Sequence, residues 1–344
     1  MGVNISEILD RKELVLSSLR DKVIAVDAHI FLYQFLTTIR QSDGSFLMDS
    51  RGNITSHLSG LFARNINLMQ QGLKLVYVFD GKAPELKIRE RERRKTLKEE
   101  ALEKYEKATA AQNIEEMKKY AARTTRLTSE MIEESKKLIV AMGIPIVEAP
   151  SEGEAQAAYM VKQDRAFAVA SQDADSLMFG ATRVVRNLSL VGKRKKTNKL
   201  SYETIKPEII SLGDTLNNLG LDQDQLIVLG MLVGTDFNEG GIKGIGPQKG
   251  LKLIKEFGTD FDKLFESVKW NDSFLYPWTE VFYLFKKIPV IDDYDLSWKP
   301  IDRDKVYELL VEEHDFSRER VLGSFDKLIR EKEKNTQKGL GEFF

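Results

Sequence analysis

Two runs of β-branched and aromatic residues, KVIAVDA (Lys22 to Ala28) and LKLVYVFDG (Leu73 to Gly81), each carry an aspartate at their end. Between them, apolar residues recur at helical spacing from about Ser56 to Met69, so the three segments read as strand, helix, strand. The alternation continues. A helical pattern covers Ser129 to Met142, an apolar strand follows in IPIVEA, a helix opens near Glu152, and the run AFAVASQ leads into Asp173-Ala174-Asp175. Such alternation predicts an α/β fold, a parallel, doubly wound twisted sheet with helices on both faces. Beyond about Leu219 the pattern becomes mainly helical, broken by a glycine-rich stretch at 240–250 and a poorly patterned Trp/Pro segment at 268–300.

Composition narrows the chemistry. Of 344 residues, 42% are hydrophobic, enough for a large core, and 52 basic side chains face 53 acidic ones. The formal charge of -1 therefore says little, and the distribution of charge matters more. There is no cysteine, which excludes disulfides, zinc-thiolate sites and thiol catalysis and fits a reducing interior or selection against thermolabile residues. Any metal must therefore sit on oxygen or on one of the three histidines. No apolar run approaches the ~20 residues of a membrane span, and no signal-peptide pattern opens the chain, so a soluble, intracellular protein is expected. The opening MGVNIS fits the short myristoylation pattern, but no second membrane signal accompanies it.

Carboxylates carry the main signal. Asp27, Asp80 and Asp173 fall at strand ends, where doubly wound sheets bind ligands; Glu152, Glu154, Asp175 and Asp236 (in LVGTDFNEGG) join them. Any one of these reads as a turn residue or helix cap. As a set they would meet at one crevice, and two carboxylates ~4 Å apart repel by roughly 4 kcal/mol at an effective dielectric of 20. Such a cluster stays ionised only with cations present. All-oxygen ligands select Mg²⁺, or Mn²⁺ in its place, and two such ions would clamp a phosphate for in-line displacement. Asp-x-Asp alone is weak, because glycosyltransferases and phosphotransferases also hold a metal that way.

The basic residues separate those readings. Lys87, Arg91, Arg94, Lys95 and Lys98 fall on one helical face directly after the Asp80 strand end, so a phosphate-binding stripe competes evenly with a solvated helix. A second basic run, Gly192 to Lys199, reads as an exposed hairpin tip, more solvated than functional. In GGIKGIGPQKGLKLI, Gly244 and Gly246 precede Pro247 at a helix start and leave backbone N–H groups free for a phosphate, with Lys243, Lys249 and Lys252 nearby. This stretch resembles the helix-hairpin-helix family, which grips duplex backbone; a plain glycine-rich turn is the alternative. Near the end, Leu340, Phe343 and Phe344 lie at offsets 0, 3 and 4 behind the charged REKEKNT, so one helical turn would present them together.

The strings VDA…YQFL, TSHLSGLF, YVFDGKAPELK, APSEGEAQAAYM, SQDADSLMFGA and VGTDFNEGGIKGIGP together resemble the flap endonucleases of the structure-specific 5′-nuclease superfamily, along nearly the whole chain. The resemblance implies a PIN-like nuclease domain over 1–330, with an N-terminal part at 1–98, a helical arch at about 83–128, an internal part at about 116–258 and a C-terminal helical part at 259–330. A flexible tail, 331–344, would follow. Asp27, Asp80, Glu152 and Glu154 would surround one Mg²⁺, and Asp173, Asp175 and Asp236 the second. Lys87 and Arg94 would contact the scissile phosphate. Tyr33 would stack on a terminal base. Arg40, Thr55 and Arg64 would touch the DNA backbone or 3′ end, Gly234 lies in the DNA-contact segment, and Glu152 and Asp236 count among the DNA-contacting residues as well. SFLM before Asp49 would form a wedge, although the same residues could be a turn flanked by core. Gln337 with Leu340, Phe343 and Phe344 is similar to the peptide recognised by the sliding clamp PCNA.

The implied function is hydrolysis of 5′-flap DNA near the flap base, with 5′-3′ exonuclease activity, in Okazaki-fragment maturation and repair. The partners would be branched DNA and PCNA, without a membrane, and the enzyme would be monomeric alone. The absence of a long basic extension points to a prokaryotic, archaeal and cytoplasmic enzyme rather than a nuclear one. Rival readings are a 5′-3′ exonuclease or a bubble-cutting repair nuclease, which carries a longer insert than the roughly seventy residues between Asp80 and Glu152. Outside the class stand a Mg²⁺-dependent phosphotransferase and a non-catalytic DNA-binding scaffold. His29 stands where relatives carry a small or amide residue and is expected as a hydrogen-bond partner rather than a ligand. Ser151 and Glu154 have capping-box spacing, Ser-x-x-Glu, so Glu154 is expected to cap a helix, reach a metal through water, or share the two.

Overall fold

A computed structural model describes residues 3–88, 126–190, 192–195 and 202–341, with side chains over 3–88, 126–190 and 205–330. Most of the expected arch, 89–125, lies outside the described residues, as does part of the second basic run. The strands are β1 (Lys12–Glu13), β2 (Val23–Asp27), β3 (Lys74–Phe79), β4 (Ile146–Glu148), β5 (Ala168–Ala170), β6 (Arg183–Arg186), β7 (Gly192–Lys195), β8 (Tyr202–Ile205) and β9 (Glu208–Ser211). Seven of them form one sheet in the order β1-β9-β6-β5-β2-β3-β4, and β7 with β8 makes a separate hairpin.

Five central strands, β4, β3, β2, β5 and β6, run parallel, as the strand-helix alternation requires. The two strands at the β6 edge differ from that expectation. β9 pairs antiparallel to β6, and β1 antiparallel to β9, because the β7–β8 excursion returns the chain without a crossover helix. The strand order reverses at β2: β3 and β4 add on one side, β5 and β6 on the other. A crevice therefore opens at the carboxyl ends of β2, β3 and β5.

Both faces of the sheet are buried, and the period of two divides their residues. On β2 and β3, Ala25, Val76 and Val78 join one core, while Ile24, Val26, Leu75, Tyr77 and Phe79 join the other. The second core holds α1 (Ala28–Thr38), α2 (Ser56–Gln70) and α3 (Ser129–Ala141), whose Phe31, Phe35, Leu58, Leu61 and Leu138 are buried in it. The first core takes α4 (Gly153–Lys162), α5 (Asp175–Met178), α6 (Leu212–Leu219), α7 (Gln223–Val233) and α8 (Pro247–Phe257). The poorly patterned segment at 268–300 contains two helices, Trp270–Ser273 and Trp278–Lys287, and packs through aromatic contacts, among them Trp270 with Phe265 and Phe274. The last helix, Arg318–Gly341, docks its first half through buried Val321, Phe325 and Leu328. Among the described residues no helix is long and apolar enough to cross a membrane.

Candidate active site

Four of the crevice carboxylates are placed by a helix start or a strand end. Asp27 is the last residue of β2 and the N-cap of α1; it is buried and accepts a hydrogen bond from the Ile30 N–H at 3.0 Å. Asp80 follows β3 and accepts the Gly153 N–H at 2.7 Å, so it satisfies an orphan donor at the start of α4 from another element. Glu152 is buried at the N-cap position of α4, with its side chain turned away from the helix to the Lys87 ammonium. Asp175 opens α5, is buried, and accepts the Val3 N–H at 2.7 Å, from a residue 172 positions earlier.

The capping box expected from Ser151 and Glu154 does not form. The helix starts at Gly153, which puts Glu154 inside its first turn, and the Ser151 hydroxyl donates instead to the Lys82 carbonyl at 3.1 Å. Glu154 thus reaches inward, where the Ser171 hydroxyl donates to its Oε1 at 3.3 Å. Ser171 also accepts the Asp173 N–H at 3.2 Å, linking the two acids. Ser171 and Val3 escaped the sequence reading. A serine ending a strand is an ordinary turn residue, and nothing local links Val3 to Asp175.

The electrostatics join these groups into one cluster. Burial, then Asp80 and Asp173, pushes the Asp27 carboxyl up to about 8. Burial, then Asp173 and Asp236, pushes Asp175 up to about 7. Glu154 is raised well above the usual carboxylate range by burial, then Asp175, Asp27 and Asp173. Lys87 lies in the same field: burial acts to lower its proton affinity, but Glu152, Asp236 and Asp80 outweigh it and raise it. Its Nζ is salt-bridged to Glu152 and stands 3.4 Å from Asp236 Oδ2. His29 contacts Asp80, its Nδ1 3.5 Å from Oδ2 and accepting the Asp80 N–H at 3.3 Å, which is the hydrogen-bond role expected of it.

The donors fit a divalent cation. They are all carboxylate oxygen, and three of them hold protons more tightly than usual because they are buried and because negative charge around them is only partly offset. Among the described residues no three acidic or imidazole side chains already stand as a finished metal cage; an ammonium lies among them instead.

The expected DNA-contact residues sit on or beside α1 and α2 and on the segment from the end of α7 to α8. Tyr33 on α1 is 38% exposed. Arg40 stacks its guanidinium over Phe46 at 3.7 Å and donates to the Leu36 and Gly44 carbonyls. Thr55 is buried at the start of α2, and Arg64 on α2 is half-buried, with its proton affinity lowered by burial. Gly234 ends α7 at φ +114°, packed against the Gly240–Gly241 backbone. Gly244, at φ +80°, and Gly246, the N-cap of α8, each have open space where a side chain would sit, and Lys243 and Lys249 are exposed beside them. Arg94, Phe343 and Phe344 lie outside the described residues; for Gln337 and Leu340 only the helical backbone is described.

Known proteins share this frame. The chain matches the XPG N-terminal domain over residues 2–101 and the XPG I-region over 143–236. It is 51% identical to flap endonuclease 1 of Pyrococcus furiosus over 344 residues, covering 100% of this chain and 99% of that one. The corresponding protein of Hyperthermus butylicus is 50% identical over 346 residues, covering 99% and 98%. Flap endonuclease-1 from Methanococcus jannaschii superposes with a TM-score of 0.75 at 39% identity, covering 96% and 98%. The catalytic core of Rad2 in complex with a DNA substrate gives a TM-score of 0.68 at 25% identity, covering 95% and 100%.

Proposed function

This chain belongs to the flap endonuclease 1 family, a structure-specific 5′ nuclease and phosphodiester hydrolase, and we propose that it cuts near the base of 5′ flaps by two-Mg²⁺ catalysis. The observation that carries the proposal is the meeting of Asp27, Asp80 and Asp173 from three parallel strand ends with Glu152, Glu154, Asp175 and Asp236 around Lys87. Asp27, Asp80, Glu152 and Glu154 would hold one ion and Asp173, Asp175 and Asp236 the other, some through water. When bound, the ions would supply the Lewis acidity that activates a water and steadies charge on the scissile phosphate.

The remaining work falls to the chain. Lys87 exchanges its carboxylate partners for a phosphate oxygen when the flap arrives and stabilises charge as it develops, with Arg94 in the same role. Ser171 keeps Glu154 and the Asp173 backbone in register, and Val3 does the same for Asp175. Gly244 and Gly246 leave backbone N–H groups approachable at the start of α8, and Lys243 and Lys249 add charge, a combination suited to holding duplex backbone without reading bases. Tyr33, Arg40, Thr55, Arg64 and Gly234 complete the DNA-facing side. The enzyme would work in replication and repair in the cytoplasm, tethered to PCNA through Gln337, Leu340, Phe343 and Phe344.

The test is direct. 5′-labelled flap, nicked and single-stranded DNA are incubated with Mg²⁺ and with EDTA, using the native enzyme and Asp173→Ala. Flap cutting that needs Mg²⁺ and is abolished in the variant is the expected result; metal-independent cutting, or full activity in Asp173→Ala, would sink the two-ion reading.

A further inference from the structure

Away from the crevice, four buried or half-buried titratable side chains form a row that the proposed chemistry does not use. Asp49, in the turn before α2, has a fully buried carboxylate that meets His314 Nδ1 at 3.1 Å. The other nitrogen of that imidazole, Nε2, stands 3.6 Å from Glu134 Oε1 on α3. Glu134 Oε2 in turn lies 3.3 Å from Nε2 of His57, a wholly buried residue of α2, off-line for a hydrogen bond but close enough for an ion contact. Carboxylates and imidazoles thus alternate across a turn, two helices and a segment 265 residues away in sequence.

The turn is gripped at further points by the same distant segment. The Ser50 N–H donates to Asp315 Oδ2 at 2.8 Å, and the Arg51 guanidinium donates to the Glu313 carbonyl. Inside the turn, Asp49 accepts the Arg51 N–H at 3.0 Å and the Asn53 N–H at 2.8 Å, which closes 49–53 upon itself. Burying a carboxylate is costly unless it is paired and hydrogen-bonded. Here Asn53 and Arg51 meet that requirement from within the turn, and His314 meets it from outside, which ties the turn to the distant segment.

What the turn carries gives it a use. Residues 40–55 form an excursion between α1 and α2 made of two successive turns, closed by isolated bridges between Arg40 and Phe46 and between Met48 and Ile54, with Met48 half exposed at 50%. It ends at Thr55, whose N–H donates to the Leu47 carbonyl at 2.8 Å. We infer that His314 is a positioning residue for this excursion, holding it through Asp49 in the pose that meets the duplex upstream of the flap. The inference rests on the reading above that Arg40 and Thr55 face DNA. His314 itself touches no substrate.

The experiment compares two 5′-labelled substrates: a flap with an upstream strand, and a forked duplex lacking that strand. Binding and single-turnover cleavage are measured separately with Mg²⁺. His314→Phe keeps the ring volume and removes both polar contacts. It should weaken binding of the full flap about tenfold, the worth of one charged hydrogen bond. Binding to the forked duplex and the cleavage rate of bound flap should stay at native values. His314→Asn, which retains a donor for Asp49, should recover most of the loss. If His314→Phe does not fold, Asp49→Asn is read on the same pair of substrates and should show the same selective loss. Equal loss on both substrates, or no loss on either, overturns the inference. Asp173→Ala run alongside keeps the two readings apart: normal cutting by that variant sinks the nuclease proposal, whereas a null result at His314 leaves it standing.

Discussion

The Lys87 ammonium forms a salt bridge with Glu152 and lies 3.4 Å from Asp236 Oδ2, joining a residue just past β3 to the starts of two other segments. It is a built-in counter-cation for a cluster that otherwise carries too much negative charge. Lys87→Met keeps the stem and removes the charge. The variant should bind Mg²⁺ more tightly without DNA, because an internal competitor is gone, while flap hydrolysis falls by about 10²–10³ through loss of charge stabilisation. Calorimetric Mg²⁺ titration and single-turnover cleavage check the two halves. Weaker metal binding together with intact cleavage would show that the ammonium has neither role.

Glu154 gives the opposite case, a carboxylate whose charge is a burden. Burial and the neighbouring Asp175, Asp27 and Asp173 raise its proton affinity, so at neutral pH its ionised form opposes folding. No capping box depends on it. Glu154→Gln should leave the thermal midpoint in EDTA unchanged or raise it by about 2 °C, while flap cleavage with Mg²⁺ drops by about 10² or more. Scanning calorimetry in EDTA beside a cleavage assay decides it. A lowered midpoint with retained cleavage would return Glu154 to a structural role.

Most of the frame could be read from the sequence because it rests on local regularities. β2, β3, β4 and β5 were visible as apolar runs, and Asp27, Asp80 and Asp173 as their terminal acids, since a parallel strand buried on both faces must be continuously apolar and must end polar. What stayed hidden depends on contacts made across the chain. The antiparallel edge, β9 on β6, follows from a hairpin return that no periodicity announces. Glu154 has capping-box spacing from Ser151, yet the helix starts at Gly153 with Glu152 at its N-cap position, and the Gly153 N–H donates to Asp80, 73 residues away. Asp49, His314, Glu134 and His57 are unremarkable singly and become a network only through tertiary packing.

Gly234 has a backbone that only glycine adopts cheaply. Its φ is +114°, and a Cβ there would stand 2.6 Å from the Gly241 nitrogen, a backbone atom that cannot rotate aside. Gly234→Ala should cost about 1–3 kcal/mol of stability. It should also displace Asp236, two residues on, from Lys87. Urea unfolding should show the loss, and flap cleavage should fall even at temperatures where the variant is fully folded. A variant as stable as the native enzyme would mean that the Gly240–Gly241 turn yields more readily than its packing implies.

Asp49 sets a pH dependence whose sign can be worked out. Burial acts to raise its proton affinity, but Asn53 through its side chain and N–H, His314 and the Arg51 N–H outweigh it, and the carboxyl is held well below the usual range. A carboxyl depressed in the folded state stabilises the fold fully above its unfolded pKa of about 3.9, and the contribution is lost as pH falls towards the folded value. Asp49→Asn lacks this term at every pH. The gap in thermal midpoint between the native enzyme and the variant should therefore be widest above about pH 5 and shrink steadily below about pH 4. Calorimetry in EDTA from neutral to acid pH measures it. A gap that stays constant into acid would mean that the Asp49 charge contributes nothing and that its shape alone holds the turn.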